Sequence, residues 1–400
     1  IFSSADTARR PACHFIQVSA IIPRTIIMAL ICLSVQDCTC MEESKLEWDG
    51  IRLTLIVKNS NMDFDEKIRK IALEDKTLGL FHGKLGACIY FYVSSNYDED
   101  SLAYQTAKEL LVQIVQKVSS VKSIDFDNGV MGLSLGLSFL MKNNYVEDTS
   151  ISWLSRMDNY VYKVAVKTLD MDIKDNDFLY QVDMLVYEVI RYNELKDNYK
   201  KELCLRLIKA LFNQIYLNRP VNFFSEAIPF TIHDRLISFL FVLLEIRRLG
   251  ICVPRIDRIF KEMKMFLFSL VPILNPNRYS LYLVSSLVAQ VTDDIEWMQY
   301  VERLKKSVDM EGLFTKDMYD MSILPINGIS GMVLLMFLYN RYSNNSISID
   351  LERVEDRLES SLFWKRFQND VSFMKKYYSL NGYCGIRLLL DSIKSGRNEI

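Results

Sequence analysis

The chain has 400 residues, half of them hydrophobic, with 48 Lys and Arg against 50 Asp and Glu and a formal net charge of −2. That length holds one large domain or two smaller ones, and the near-neutral balance gives no electrostatic case for a nucleic-acid partner. Residues 1–41 stand apart. They contain Arg9, Arg10 and Arg24, a ten-residue apolar stretch Thr25–Ser34, and four of the eight cysteines. They read as an N-terminal extension, either upstream translated sequence before Met41 or a signal-like segment, and the stretch is too short to span a bilayer. From 42 to 400 no linker or low-complexity tract interrupts the chain, so that span reads as one domain. Its cysteines, Cys88, Cys204, Cys252 and Cys384, are isolated, which argues against a disulfide framework and, with a start at Met41, for a cytoplasmic protein.

The first apolar run of that domain, HGKLGACIYFY, begins with Gly83 and Gly86. The same Gly-x-x-Gly opening returns at Gly129/Gly132, Gly328/Gly331 and Gly382/Gly385, using eight of the fourteen glycines. His82, Asn128, Asn327 and Asn381 precede the four phrases and are predicted to cap the helices that follow. The starts are 46, 199 and 54 residues apart, a period near 50 that marks a repeat architecture. It places degenerate repeats near 180, 230 and 280, where apolar runs follow Asn176, Ile232 and Asn277 without the glycine pair. Between the runs lie amphipathic segments, Leu102–Ser119, Lys200–Asn218, Ile256–Leu270 and Leu351–Phe367, each with one apolar stripe. A buried helix followed by an amphipathic one, seven times over, predicts an all-α protein. Its expected form is an α/α toroid of seven helical hairpins, with the apolar helices as the inner ring.

GLFHGKLGACIYFY, DFDNGVMGLSLGLSFLMKNNYVE and LPINGISGMVLLMFLY, set in this period, resemble repeats of the lanthionine synthetase C-like family over roughly residues 75–395. The resemblance implies a seven-fold α/α toroid and a part in lanthipeptide-type peptide modification. In active family members a mouth zinc is held by a Trp-Cys-Tyr-Gly and a Cys-His-Gly phrase, and it turns a peptide thiol into a thiolate nucleophile. Here the matching phrases are Asn277-Arg278-Tyr279-Ser280 and Pro325-Ile326-Asn327-Gly328, without Cys or His. The expected protein is therefore a zinc-less pseudoenzyme that binds a peptide substrate or partners a peptide-modifying enzyme. No metal or other cofactor is expected.

In the fourth repeat Ile232-His233-Asp234 falls where the family has Ala-His-Gly, which makes His233 the one candidate for an inherited catalytic acid/base. Asn128, Asp234, Asn327, Asn381 and Cys384 are the candidate substrate-binding residues around the mouth. Cys384 and His233, with Asp183 or Asp234, are the set from which a substitute zinc site, and with it an active cyclase, could be rebuilt. Asp125, Asp127, Asp172, Asp175 and Asp177 precede inner helices, where carboxylates suit the helix dipole. Another alternative, a carbohydrate-active α/α barrel using Glu226 and Asp234, calls for six hairpins.

Overall fold

A computed structural model describes residues 62–146, 151–169, 175–218, 235–270, 272–318 and 322–397, and no strand occurs among them. The helices are α1 Met62–Glu74, α2 Lys84–Ser94, α3 Leu102–Lys117, α4 Val130–Lys142, α5 Ile151–Leu169, α6 Asp175–Glu194, α7 Asn198–Asn218 and α8 Arg235–Arg248. They continue as α9 Val253–Leu267, α10 Asn275–Thr292, α11 Ile295–Ser307, α12 Ile329–Tyr342, α13 Leu351–Glu359, α14 Leu362–Asn369, α15 Val371–Lys376 and α16 Tyr383–Arg397. A short helical and π turn fills Met310–Asp317.

Burial divides them into two rings. Helix α2 buries every residue from Lys84 to Val93, and α4 every residue from Val130 to Ser138. Helix α3 buries only Thr106, Ala107, Leu110 and Ile114, one stripe at helical spacing. The inner ring is α2, α4, α6, α8, α10, α12 and α16. The outer ring is α1, α3, α5, α7, α9, α11 and the segmented α13–α15. Each Leu or Phe taken into the wall between the rings contributes about 1.5–3 kcal/mol of transfer free energy. That burial makes the inner helices apolar on most faces.

The ring closes. Helix α16 packs on α2, α2 on α4, α6 on α8, α8 on α10 and α10 on α12. The α4–α6 joint is bonded from Tyr187 OH to Ser134 Oγ (2.8 Å) and from Ser138 Oγ to Glu194 Oε2 (2.9 Å). At the α12–α16 joint the Ile326 N–H donates to Asn381 Oδ1 at 3.1 Å. Helix α1, which the sequence reading did not single out, straps the seam between the last and first inner helices. Its Asp65 accepts from Tyr90 on α2 and Tyr383 on α16, and Asp75 beyond its end accepts from Tyr378 at 2.6 Å.

The seven inner helices among the described residues weigh against the six-hairpin barrel and the carbohydrate-active reading that depended on it. The last outer helix also differs from expectation. The segment Leu351–Phe367 breaks after Glu359 because Ser361 Oγ accepts from Phe363 N and starts α14. Asp370 Oδ1 then accepts from Phe373 N and starts α15.

Candidate functional site

Among the described residues, four loops at the mouth of the toroid fold back over the helices they start. In three of them the first helical N–H donates to a carbonyl seven residues earlier: Lys84 to Thr77, Val130 to Ser123 and Ile329 to Ser322. In the fourth, Tyr383 N donates to Tyr377 O at 2.7 Å. The chain thus satisfies donors that a helix start normally leaves orphaned. The first glycine of each phrase makes this possible. A Cβ at Gly83 would lie 2.7 Å from Thr77 O, one at Gly129 2.6 Å from Asp125 O, and one at Gly328 2.6 Å from Leu324 N.

These glycines, and not the residues before them, are the N-caps at Gly83, Gly129 and Gly328. The expected capping by His82, Asn128 and Asn327 is corrected accordingly. At the second repeat Asp125 takes the polar role instead, accepting from Asn128 N at 2.7 Å and Gly129 N at 3.1 Å.

A chain of hydrogen bonds ties the four loops together. Phe81 N donates to Asp127 O (3.1 Å), Asn381 N donates to Phe81 O (3.0 Å), and Ile326 N donates to Asn381 Oδ1 (3.1 Å). Repeats six, seven, one and two are therefore consecutive around the ring, although the sequence holds them at its two ends. The glycine-bearing repeats form one continuous arc of the mouth.

The predicted site residues fall into three groups. Asn128 and Asn327 are exposed on the glycine-bearing arc, free to meet a ligand. Asn381 is buried, with its side-chain oxygen engaged by Ile326. Cys384 is fully buried in the first turn of α16, and burial, reinforced by nearby Asp65, pushes its thiol far above the ordinary value. Asp183 is also buried. Among the described residues no three His, Cys, Asp or Glu side chains gather in a metal-binding group. His233, Asp234, Glu226, Asp172 and residues 1–41 lie outside the described residues, as do the side chains of Asp175 and Asp177. His82 is half-buried at the seam, its pKa lowered by burial and by the Lys376 charge, so it is neutral near pH 7.

Arg278 occupies the fifth-repeat position where the resemblance places a zinc-binding thiolate. Its Nε donates to Pro272 O at 2.5 Å and its Nη1 to Ser307 O at 2.8 Å, which joins the start of α10 to the end of α11. Neither Arg278 nor the Ile326-Asn327 pair supplies a thiolate or imidazole, so these positions do not fit zinc.

The sequence reading missed the buried polar chemistry deeper in the wall. Arg191 on α6 grips Asp158 on α5 through two bonds, at 3.0 and 2.8 Å, and also pairs with Glu194. Lys142 on α4 completes the group at 2.6 Å from Glu194. Two cations and two carboxylates balance, and the Arg191 and Lys142 charges hold Glu194 below the usual range despite its burial. Beside them, burial pushes the Glu188 carboxyl up to about 7, opposed by a bond from Cys204 Sγ at 3.0 Å. At the far end of the bore Glu245 on α8 is wholly buried and accepts from Asn193 on α6, Tyr342 on α12 and Arg248. The available signal was a charged residue inside an apolar inner run, such as Glu188 and Arg191 within MLVYEVIRY.

No family model matches the sequence, and no curated protein does. Among solved structures the chain is similar to a nisin cyclase, at 14% sequence identity and a TM-score of 0.56, covering 84% of this chain and 95% of that one. A likeness at this identity speaks for the backbone plan alone: the chain has the α/α toroid fold of nisin cyclase.

Proposed function

We propose that this protein binds a peptide at the toroid mouth in lanthipeptide-type peptide maturation, as a substrate-holding or scaffold protein working without zinc. The observation that carries the reading is Arg278. A guanidinium engaged by two backbone carbonyls stands where the resembling family activates its thiol. The fold supports the peptide half of the reading, since the similar solved structure is named as a cyclase of nisin. Exposed Asn128 and Asn327 offer amide donors and acceptors to a peptide backbone. The first N–H groups at the glycine-bearing repeats are already bonded, so recognition falls to side chains and not to helix ends.

The alternative, an active cyclase centred on His233 and Cys384, is disfavoured by the burial and raised pKa of the Cys384 thiol. The test joins a photocrosslinker placed at Asn327 with metal analysis of the purified chain. Saturable capture of a dehydrated precursor peptide, with no stoichiometric zinc, is the expected outcome. Capture no greater than that from a crosslinker at exposed Val112 on α3 removes the binding role. Zinc near one equivalent per chain removes the zinc-less assignment.

A further inference from the structure

We infer that the outer ring carries a second peptide-docking surface, a groove between α7 and α9 that takes an acidic segment with interleaved apolar side chains. The inference rests on the reading that the ligand is a peptide, and it assigns a contact away from the mouth.

The groove has a volume of about 560 Å³ and a floor made by Tyr216, Leu217 and Pro254. Leu217 is 76% exposed, and Met265, further along α9, is 83% exposed. Leu217 shares one groove with Tyr216 and Pro254, rimmed by polar side chains, the arrangement that marks a contact surface where single scattered apolar residues do not. The walls are basic. Arg255 reaches from α9 across the groove to Asn213 on α7, a neutral partner that leaves the guanidinium charge unmatched. Lys209 on α7 and Lys261 on α9 are exposed nearby. Among the described residues neither lysine nor Arg255 has a carboxylate at ion-pair distance. Arg258 and Arg206, by contrast, are answered by Glu262 and Glu202 on their own helices.

Arg255 and Arg258 line the groove itself, and Lys209, one turn before Asn213, and Lys261, one turn after Arg258, extend the same helix faces beyond it. The complementary ligand has carboxylates for Arg255 and the lysines and apolar side chains for the floor. An extended peptide alternating the two places them on opposite sides, one along the basic wall and one into the floor.

The test titrates the full chain with three fluorescein-labelled peptides of equal length, read by anisotropy. One alternates Asp with Leu and Phe, one has Lys in place of Asp, and one is oligo-Asp. Saturable binding of the first alone is expected. Affinity should fall by about tenfold or more in Arg255→Glu/Arg258→Glu, because like charges then face each other. Leu217→Asp should weaken it as well. All three side chains are exposed, so an unchanged thermal midpoint shows that the variants fold. Equal affinity for the Lys or oligo-Asp peptide overturns the inference, as does undiminished affinity in the double variant. Tighter binding of a DNA oligonucleotide or an anionic vesicle overturns it too. The Asn327 crosslinker separates the two readings. Capture at the mouth with no groove effect removes only this inference, and a groove effect with no mouth capture removes only the mouth.

Discussion

A single hydrogen atom in place of a methyl group decides whether the mouth can form. A Cβ on Gly86 would overlap Ser379 Oγ and Leu80 O and lie 2.9 Å from Leu380 N, so the first and last repeats could not meet there. Gly86→Ala is expected to destabilise the protein by about 1–3 kcal/mol, measured as a lowered denaturant midpoint. The sign is diagnostic, since Gly→Ala at an unobstructed helix interior stabilises by about 0.5–1 kcal/mol. Glu188 makes a pH-dependent prediction. Its folded pKa of about 7 lies above the ordinary 4.5, so between those values the folded chain keeps a proton that the unfolded chain has released. Stability therefore falls as pH rises through that window, and the penalty is complete above it. Glu188→Gln should raise stability by up to about 3 kcal/mol near pH 8 and leave it nearly unchanged below about pH 4. Thermal melts at both pH values check this.

Helices were legible wherever a local constraint writes itself into the chain. The Gly-x-x-Gly phrases could be read because each fold-back loop collides with any side chain at the first glycine. The degenerate repeats lack that loop signal, yet their spacing placed them near 180, 230 and 280, and helices run there from Asp175, Arg235 and Asn275. The caps were misread because Asn is a good cap in general, whereas here the backbone itself serves the helix start. Helix α1 was missed because its role lies in partners far along the chain. Asp65 accepts from both Tyr90 and Tyr383, whose hydroxyls are buried with their rings. Asp65→Ala leaves both donors without that acceptor, at an expected cost of about 1–3 kcal/mol. Hydrogen exchange should show α1 amides opening faster than those of α4, which an effect spread evenly over the ring would not produce.

At the scale of the whole molecule, the repeat number and the two-ring plan were readable from period and hydrophobicity, but the burial of individual residues near the mouth was not. Sequence alone placed Cys384 and Asn381 at an open mouth; the structure buries both, because the seventh loop is clasped by the sixth and the first. Nor does spacing reveal that repeats six, seven, one and two form one arc, since that follows only from closure. Closure also sets an order of events. Asp65 and Tyr383 are separated by 318 residues, and Tyr378 and Asp75 by 303. Contacts of such long range carry a large loop-closure cost and come late in folding. A chain ended after Tyr377 should therefore expose the flank of α2, bind a hydrophobic dye and be nicked by protease near the first repeat, while the full chain resists. On the ribosome Asp75 is made 303 residues before the Tyr378 that closes the ring on it. Over that stretch of synthesis the chain is expected to be an open crescent with an uncovered apolar edge, the kind of surface that chaperones shield until the closing helix emerges.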